Sequence, residues 1–161
     1  MADISPTTGE TYYSGSFEKV RNICKSLKIG EGKLAKVTQG LVNEFQETAD
    51  REIDGELERF YYVPIRARKV FMPGTGTTKL VFPGMVEKLA LYLAAGLLLT
   101  SEFQQMEPNV LESAQNYIND SRKDLFELTK FTRRIPGQQI KHNLRTAPPS
   151  MMPGYVPEPN T

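Results

Sequence analysis

Leu34, Val37, Leu41, Phe45, Ala49, Ile53, Leu57 and Phe60 recur at intervals of three or four residues, and this stripe constrains the chain more than any other feature. Such spacing turns one apolar face toward a core when the backbone is helical. It predicts a second helix over residues 33–60, about 28 residues and roughly 42 Å long. The stripe stops in Phe60, Tyr61, Tyr62, Val63 and Pro64, where proline removes a backbone donor and ends the helix. Upstream, Phe17, Val20, Ile23 or Cys24, and Leu27 repeat the pattern and predict a first helix over residues 16–27, closed by the glycines at 30 and 32. Residues 1–15, rich in Ser, Thr and Gly, read as an irregular N-terminal arm.

Helical periodicity disappears between residues 61 and 83. Two β-like runs, residues 66–71 and 79–82, flank Met72, Pro73, Gly74, Thr75, Gly76, Thr77 and Thr78, the pattern of a hairpin with a longer loop. A connection of this length exceeds what two packed helices need, and such segments are usually functional projections or disordered. A third helix follows from residue 84 to about residue 103, apolar nearly all round and therefore central. Pro108 suits the first position of a fourth. Its inner face is expected to be Leu111, Ala114, Tyr117 or Ile118, Ser121, Leu125 and Leu128. Six of the eleven prolines fall between residues 136 and 159, so residues 132–161 read as an extended arm without a core of their own. The expected fold is mainly α: a four-helix, bundle-like domain over residues 16–131, with a projecting hairpin at 61–83 and the two arms.

A chain of 161 residues is the size of one domain and can bury a core without disulfide support. Its formal charge of +1 exerts no global pull on nucleic acid or membrane. The average hides a division: residues 1–127 carry fifteen Lys/Arg against eighteen Asp/Glu, a net of −3, whereas residues 128–161 carry five against one, a net of +4. The single cysteine, Cys24, excludes an intrachain disulfide and fits a reducing compartment. The first residues lack the basic and apolar regions of a signal peptide, so none is expected. The apolar run at residues 89–99 is about half a membrane span, which argues for a buried helix and no membrane anchor.

Asp50, Asp54 and Glu58 follow each other at helical spacing. Bundle metal sites use inward carboxylates with Glu-x-x-His partners, yet the only histidine, His142, lies in the arm. The three acids also sit off the stripe, with Arg51 and Arg59 nearby, which predicts a solvated or inter-subunit face. Residues 74–79, Gly-Thr-Gly-Thr-Thr-Lys, superficially resemble a phosphate loop but lack the Gly-Lys pair opening a helix, and read as a hairpin tip. Cys24 adjoins an apolar face and reads as a small buried hydrophobe. No nucleophile, base and orienting acid come together, so no catalytic residue, metal or cofactor is expected and the reading is non-enzymatic.

Arg66, Arg68 and Lys69 lie close to Phe60, Tyr61 and Tyr62. Basic and aromatic residues together can hold single-stranded nucleic acid. The favoured reading is a hairpin strand whose charges face solvent or an acidic neighbour, which the acids of the second helix in another copy would supply. The arm carries anchor-type side chains among its prolines: Arg133, Arg134, Ile140, Leu144, Arg145, Met151, Met152 and Tyr155. The arm reads either as a floppy end or, in the favoured reading, as a partner-binding segment, since extended proline-containing segments dock on partners at low ordering cost.

The helix with Ile53, Asp54, Gly55 and Leu57, followed by Tyr61, Tyr62 and Pro64, resembles the head-to-tail connector (adaptor) proteins of tailed bacteriophages. The resemblance continues through the run Val86, Glu87, Lys88, Leu89, Ala90, Leu91, Tyr92, Leu93, Ala94 and Ala95 and the amphipathic fourth helix, covering roughly residues 16–130. It implies a homo-oligomeric, usually dodecameric, ring in the virion neck beneath the portal protein, made in the host cytoplasm. Such a ring extends the channel, passes double-stranded DNA without sequence-specific binding, and docks the next neck or tail protein. It implies that the C-terminal arm reaches the portal. On this reading Asp50, Asp54 and Glu58 of one subunit meet Arg66, Arg68 and Lys69 of the next. The rival readings are a helical nucleic-acid-binding module using the same cations, and a small non-enzymatic interaction or regulatory protein.

Overall fold

The computed structural model describes residues 12–27, 29, 31–103 and 108–141. Among them the chain is mainly helical, with five helices and one antiparallel hairpin: α1 (Phe17–Ser26), α2 (Glu31–Leu34), α3 (Gln39–Leu57), β1 (Arg68–Met72), β2 (Thr77–Val81), α4 (Gly84–Glu102) and α5 (Pro108–Thr129). The apolar α4 is central, packing against α1, α3 and α5. By length and composition alone it could cross a membrane, but here Leu89, Leu93, Leu98 and Leu99 are buried among the other helices.

Gly96 makes the α4–α5 contact close. A Cβ built there would lie 2.7 Å from Ile118 Cγ1 and 2.9 Å from the Ala114 carbonyl oxygen, inside van der Waals contact. The inward face of α5 is Val110, Ala114, Ile118, Ser121, Leu125 and Leu128, all buried. Leu111, expected inside, is 38% exposed. The 3.6-residue repeat read back from Ala114 lands on Val110, one position earlier.

The long second helix is two pieces. Thr38 takes an extended conformation and its hydroxyl accepts the Leu41 N–H at 3.4 Å, so it caps a new helix. Val37 before the cap and Val42 after it are both buried, the placement of a hydrophobic staple. The cap re-phases the stripe. On α3 the buried set is Val42, Gln46, Glu47, Ala49, Asp50, Ile53, Asp54 and Leu57, whereas Leu41 and Phe45 only flank the core.

Two boundaries also move. Residues 12–15 are no arm: Tyr12, Tyr13 and Ser14 are buried. Beyond α5, the segment to Lys141 is irregular as expected but stitched to its own chain. Ile135 is buried, Ile140 bridges Tyr61, and the Lys141 N–H donates to the Phe60 carbonyl at 2.8 Å. The turn that launches this segment puts Phe131 at φ 57°. A β-carbon there costs about 1 kcal/mol, and the phenylalanine ring stays in edge contact with Phe60 at 5.4 Å between centroids.

Candidate functional site

The most distinctive surface is the hairpin, and its two legs are fixed by one buried tyrosine. The Tyr13 hydroxyl donates to Asp54 Oδ1 at 2.7 Å and accepts the Ile65 N–H at 2.7 Å, gripping the descending leg. Its ring meets Phe82 of the ascending leg edge-on at 5.0 Å. The Tyr13 N–H donates to Asp50 Oδ2 at 3.3 Å, and Gln46 Nε2 donates to Ser14 Oγ at 2.7 Å and to the Gly15 carbonyl at 2.9 Å. Residues 12–15 therefore tie α3 to both ends of the projection.

This hub corrects the reading of the α3 acids. Asp50 is 0% exposed and Asp54 9%, so neither belongs to a solvated or inter-subunit face. Both are bound by Tyr13, which meets the requirement that buried carboxylates be hydrogen-bonded. Burial raises the Asp54 carboxyl above its ordinary value; the Tyr13 hydrogen bond opposes the rise, and Glu47 and Glu58 add to it. Tyr13 itself is pushed far above the usual phenol range, first by burial and then by its bond to Asp54. Glu58 is exposed as expected. Two signals in the chain foreshadow the hub: an aromatic pair, Tyr12 and Tyr13, inside a polar stretch, and acids immediately beside Ala49 and Ile53.

The hairpin pairs Arg68 with Val81, Lys69 with Leu80, Val70 with Lys79, Phe71 with Thr78 and Met72 with Thr77. Gly76, at φ 63°, closes the loop, and its N–H donates to the Met72 carbonyl at 2.9 Å. Residues opposite each other share a face, which puts Lys69, Phe71, Leu80 and Thr78 together. Phe71 is 62% exposed and Leu80 41%. Among the described residues neither strand packs on a helix. A two-stranded ribbon alone in water is marginal, and this one has both faces open. Between residues 59 and 86 the only charged groups are Arg59, Arg66, Arg68, Lys69 and Lys79, with no acid. A cleft of about 540 Å³ at the root brings Arg66 and Arg68 beside Phe82, Pro83, Pro136 and Gln138.

The chain matches no known family model, no curated protein and no solved structure. The site must be read from its own chemistry.

The C-terminal anchors divide. Arg133 is held by Asp124 and Glu127, each at 3.3 Å. Ile140 is half-buried against the aromatic exit, and Arg134 is exposed. Gln138 clips the backbone of Arg66, its amide donating to the carbonyl at 3.0 Å. Leu144, Arg145, Met151, Met152 and Tyr155, like His142, lie outside the described residues. Arg133 and Ile140 thus serve intrachain contacts, contrary to a wholly free arm.

No group of three or more His, Cys, Asp or Glu side chains converges as a metal site among the described residues. Cys24 is fully buried, and burial pushes its thiol up to about 11. Because the thiolate is the reactive form, a thiol reagent such as Ellman's is expected to titrate Cys24 only after denaturation. Rapid labelling of the native protein would contradict this packing.

Proposed function

We propose that the chain is a structural subunit of a bacteriophage neck, an adaptor that assembles as a ring under the portal, extends the DNA channel and docks the next neck or tail protein. In this reading α1, α3, α4 and α5 form a four-helix, bundle-like adaptor domain, and function is assembly. The observation that carries it is the hairpin. It stands off its own helices, exposes Phe71, Met72 and Leu80, and bears only positive charge. Contiguous exposed apolar groups on a well-packed domain mark an interaction surface. The resemblance in α3, the aromatic exit and α4 supplies the class of assembly.

Electron microscopy of the purified chain mixed with portal assemblies is the direct test. A ring below the portal is expected. Deleting residues 142–161 should leave the domain folded, because its intrachain stitching reaches Lys141, while abolishing portal docking. Unchanged docking by that truncation removes the arm from the mechanism. Absence of any ring with the full chain removes the neck reading.

The acid-free stretch favours one alternative, a nucleic-acid-binding module. Phosphate contacts release counterions, so binding would weaken steeply as salt rises. Strong, salt-dependent binding of single-stranded DNA by the isolated chain would select this alternative over passive passage of DNA.

A further inference from the structure

We propose that the hairpin of one copy docks on the outer face of α3 of a second copy, a heterologous contact that repeats from subunit to subunit. The inference deepens the ring assembly above and rests on that reading. Both halves of the contact are present on this chain. Among the described residues the hairpin makes no contact with a helix, and the α3 face is engaged only at its end, where the Lys141 ammonium donates to the Glu58 carbonyl at 2.6 Å. The hairpin offers Lys69 beside Phe71 and Leu80 on one face and Arg68 and Lys79 on the other, with no ion pair to any of these cations among the described residues. The outer face of α3 runs through Gly40, Glu44, Thr48, Arg51, Gly55 and Glu58, exposed from end to end.

The charges are complementary. Arg51 is neutralised by Glu47 at 3.0 Å, whereas the carboxylates of Glu44 and Glu58 have no ion-pair partner among the described residues. The face is therefore negative at Glu44, with a second carboxylate at Glu58 near the Lys141 ammonium, where the hairpin is wholly positive. Its relief is low: the space above Gly40 and Gly55 is open to 4 Å, so a flat ribbon can approach the helix. A five-residue strand spans roughly 17 Å, and residues 44–58 of a helix span about 21 Å, so the two surfaces match in length. The interface found in this way keeps Glu58 and replaces buried Asp50 and Asp54 with Glu44.

A heterologous contact uses different patches on the two partners and closes into a ring when the rotation allows. That arrangement gives a specific test in the full chain. Cysteines placed on the hairpin loop and on α3, as T75C/T48C, are expected to form a ladder of disulfide-linked oligomers on mild oxidation of concentrated protein, with buried Cys24 silent. T75C and T48C chains with one introduced cysteine each, mixed, should stop at crossed dimers. Adding R68E/K69E, or separately E44K/E58K, should cut the ladder about tenfold, because like charges facing each other suppress association. Mixing the two charge-reversed chains should restore it, since each hairpin then faces a complementary helix. Circular dichroism melts establish that the variants fold.

No ladder at millimolar protein overturns the pairing, as does a ladder indifferent to charge reversal. Rings on the portal without the T75C–T48C link also overturn it while leaving the neck reading intact. A charge-dependent ladder in a chain that never joins a portal supports the pairing and sinks the neck reading.

Discussion

Gly96→Ala is expected to lower the unfolding free energy by about 1–3 kcal/mol, the usual range for overpacking a filled core. In a helix interior alanine is ordinarily better than glycine by about 1 kcal/mol, so the expected sign reverses the intrinsic preference. The reason is geometric. The new methyl would meet Ile118 Cγ1 at 2.7 Å and the Ala114 carbonyl oxygen at 2.9 Å. One obstacle is a stiff β-branched side chain and the other is backbone, so α4 and α5 must separate to admit it. Each lost kcal/mol lowers Tm by about 2–4 °C in a chain of this size. Gly55→Ala is the control. It is helical, exposed and has nothing within 4 Å, so the same substitution there should stabilise by about 0.5–1 kcal/mol. Denaturant melts of the two variants should move in opposite directions. A Gly96→Ala protein as stable as the parent would mean that α4 and α5 are not in close contact.

The contrast between these glycines illustrates which parts of the fold can be read from residue order. Local signals carried the elements: apolar periodicity placed α1 and α5, a run apolar nearly all round placed α4, Pro108 opened α5, and the proline–glycine loop between β-like runs placed the hairpin. What local signals miss is competition between elements. A threonine inside an apolar stripe is compatible with continued helix or with an N-cap, and only packing around Val37 and Val42 selects the cap at Thr38. That choice rotates the buried arc of α3 toward Gln46, Asp50 and Asp54. With the arc widened by the turn at residues 12–15, carboxylates beside the stripe become core residues. Pairing partners far apart in the chain, 41 residues for Tyr13 and Asp54, leave no periodic trace. The candidate site was legible where it depends on exposure and charge, in Arg66, Arg68 and Lys69, and illegible where it depends on the hub beneath them.

That hub should dominate the response to Tyr13→Phe, expected to cost about 2–4 kcal/mol. The substitution keeps the ring against Phe82 but deletes the hydroxyl, so the Ile65 N–H and Asp54 Oδ1 each lose a partner bonded at 2.7 Å. Leaving one buried polar group unsatisfied costs about 1–3 kcal/mol, more when it is charged. Exchange of the Ile65 amide with solvent should accelerate in parallel, because the grip on the descending leg is gone. Asp54 adds a pH signature. Its folded carboxyl is raised above the ordinary 3.8, so between that value and the raised one the folded state holds the proton more tightly than the unfolded chain does. Its contribution to stability therefore falls as pH rises through this window and improves as pH drops back through it. Asp54→Asn, which keeps an acceptor for Tyr13 without the charge, should be at least as stable as the parent at neutral pH and should flatten this slope. In the Tyr13→Phe/Asp54→Asn double variant the two effects should fall short of additive in cost, as expected for groups in direct contact. Strict additivity, or an Asp54→Asn protein as damaged as Tyr13→Phe, would mean that tyrosine and carboxylate do not act as one clamp on the hairpin.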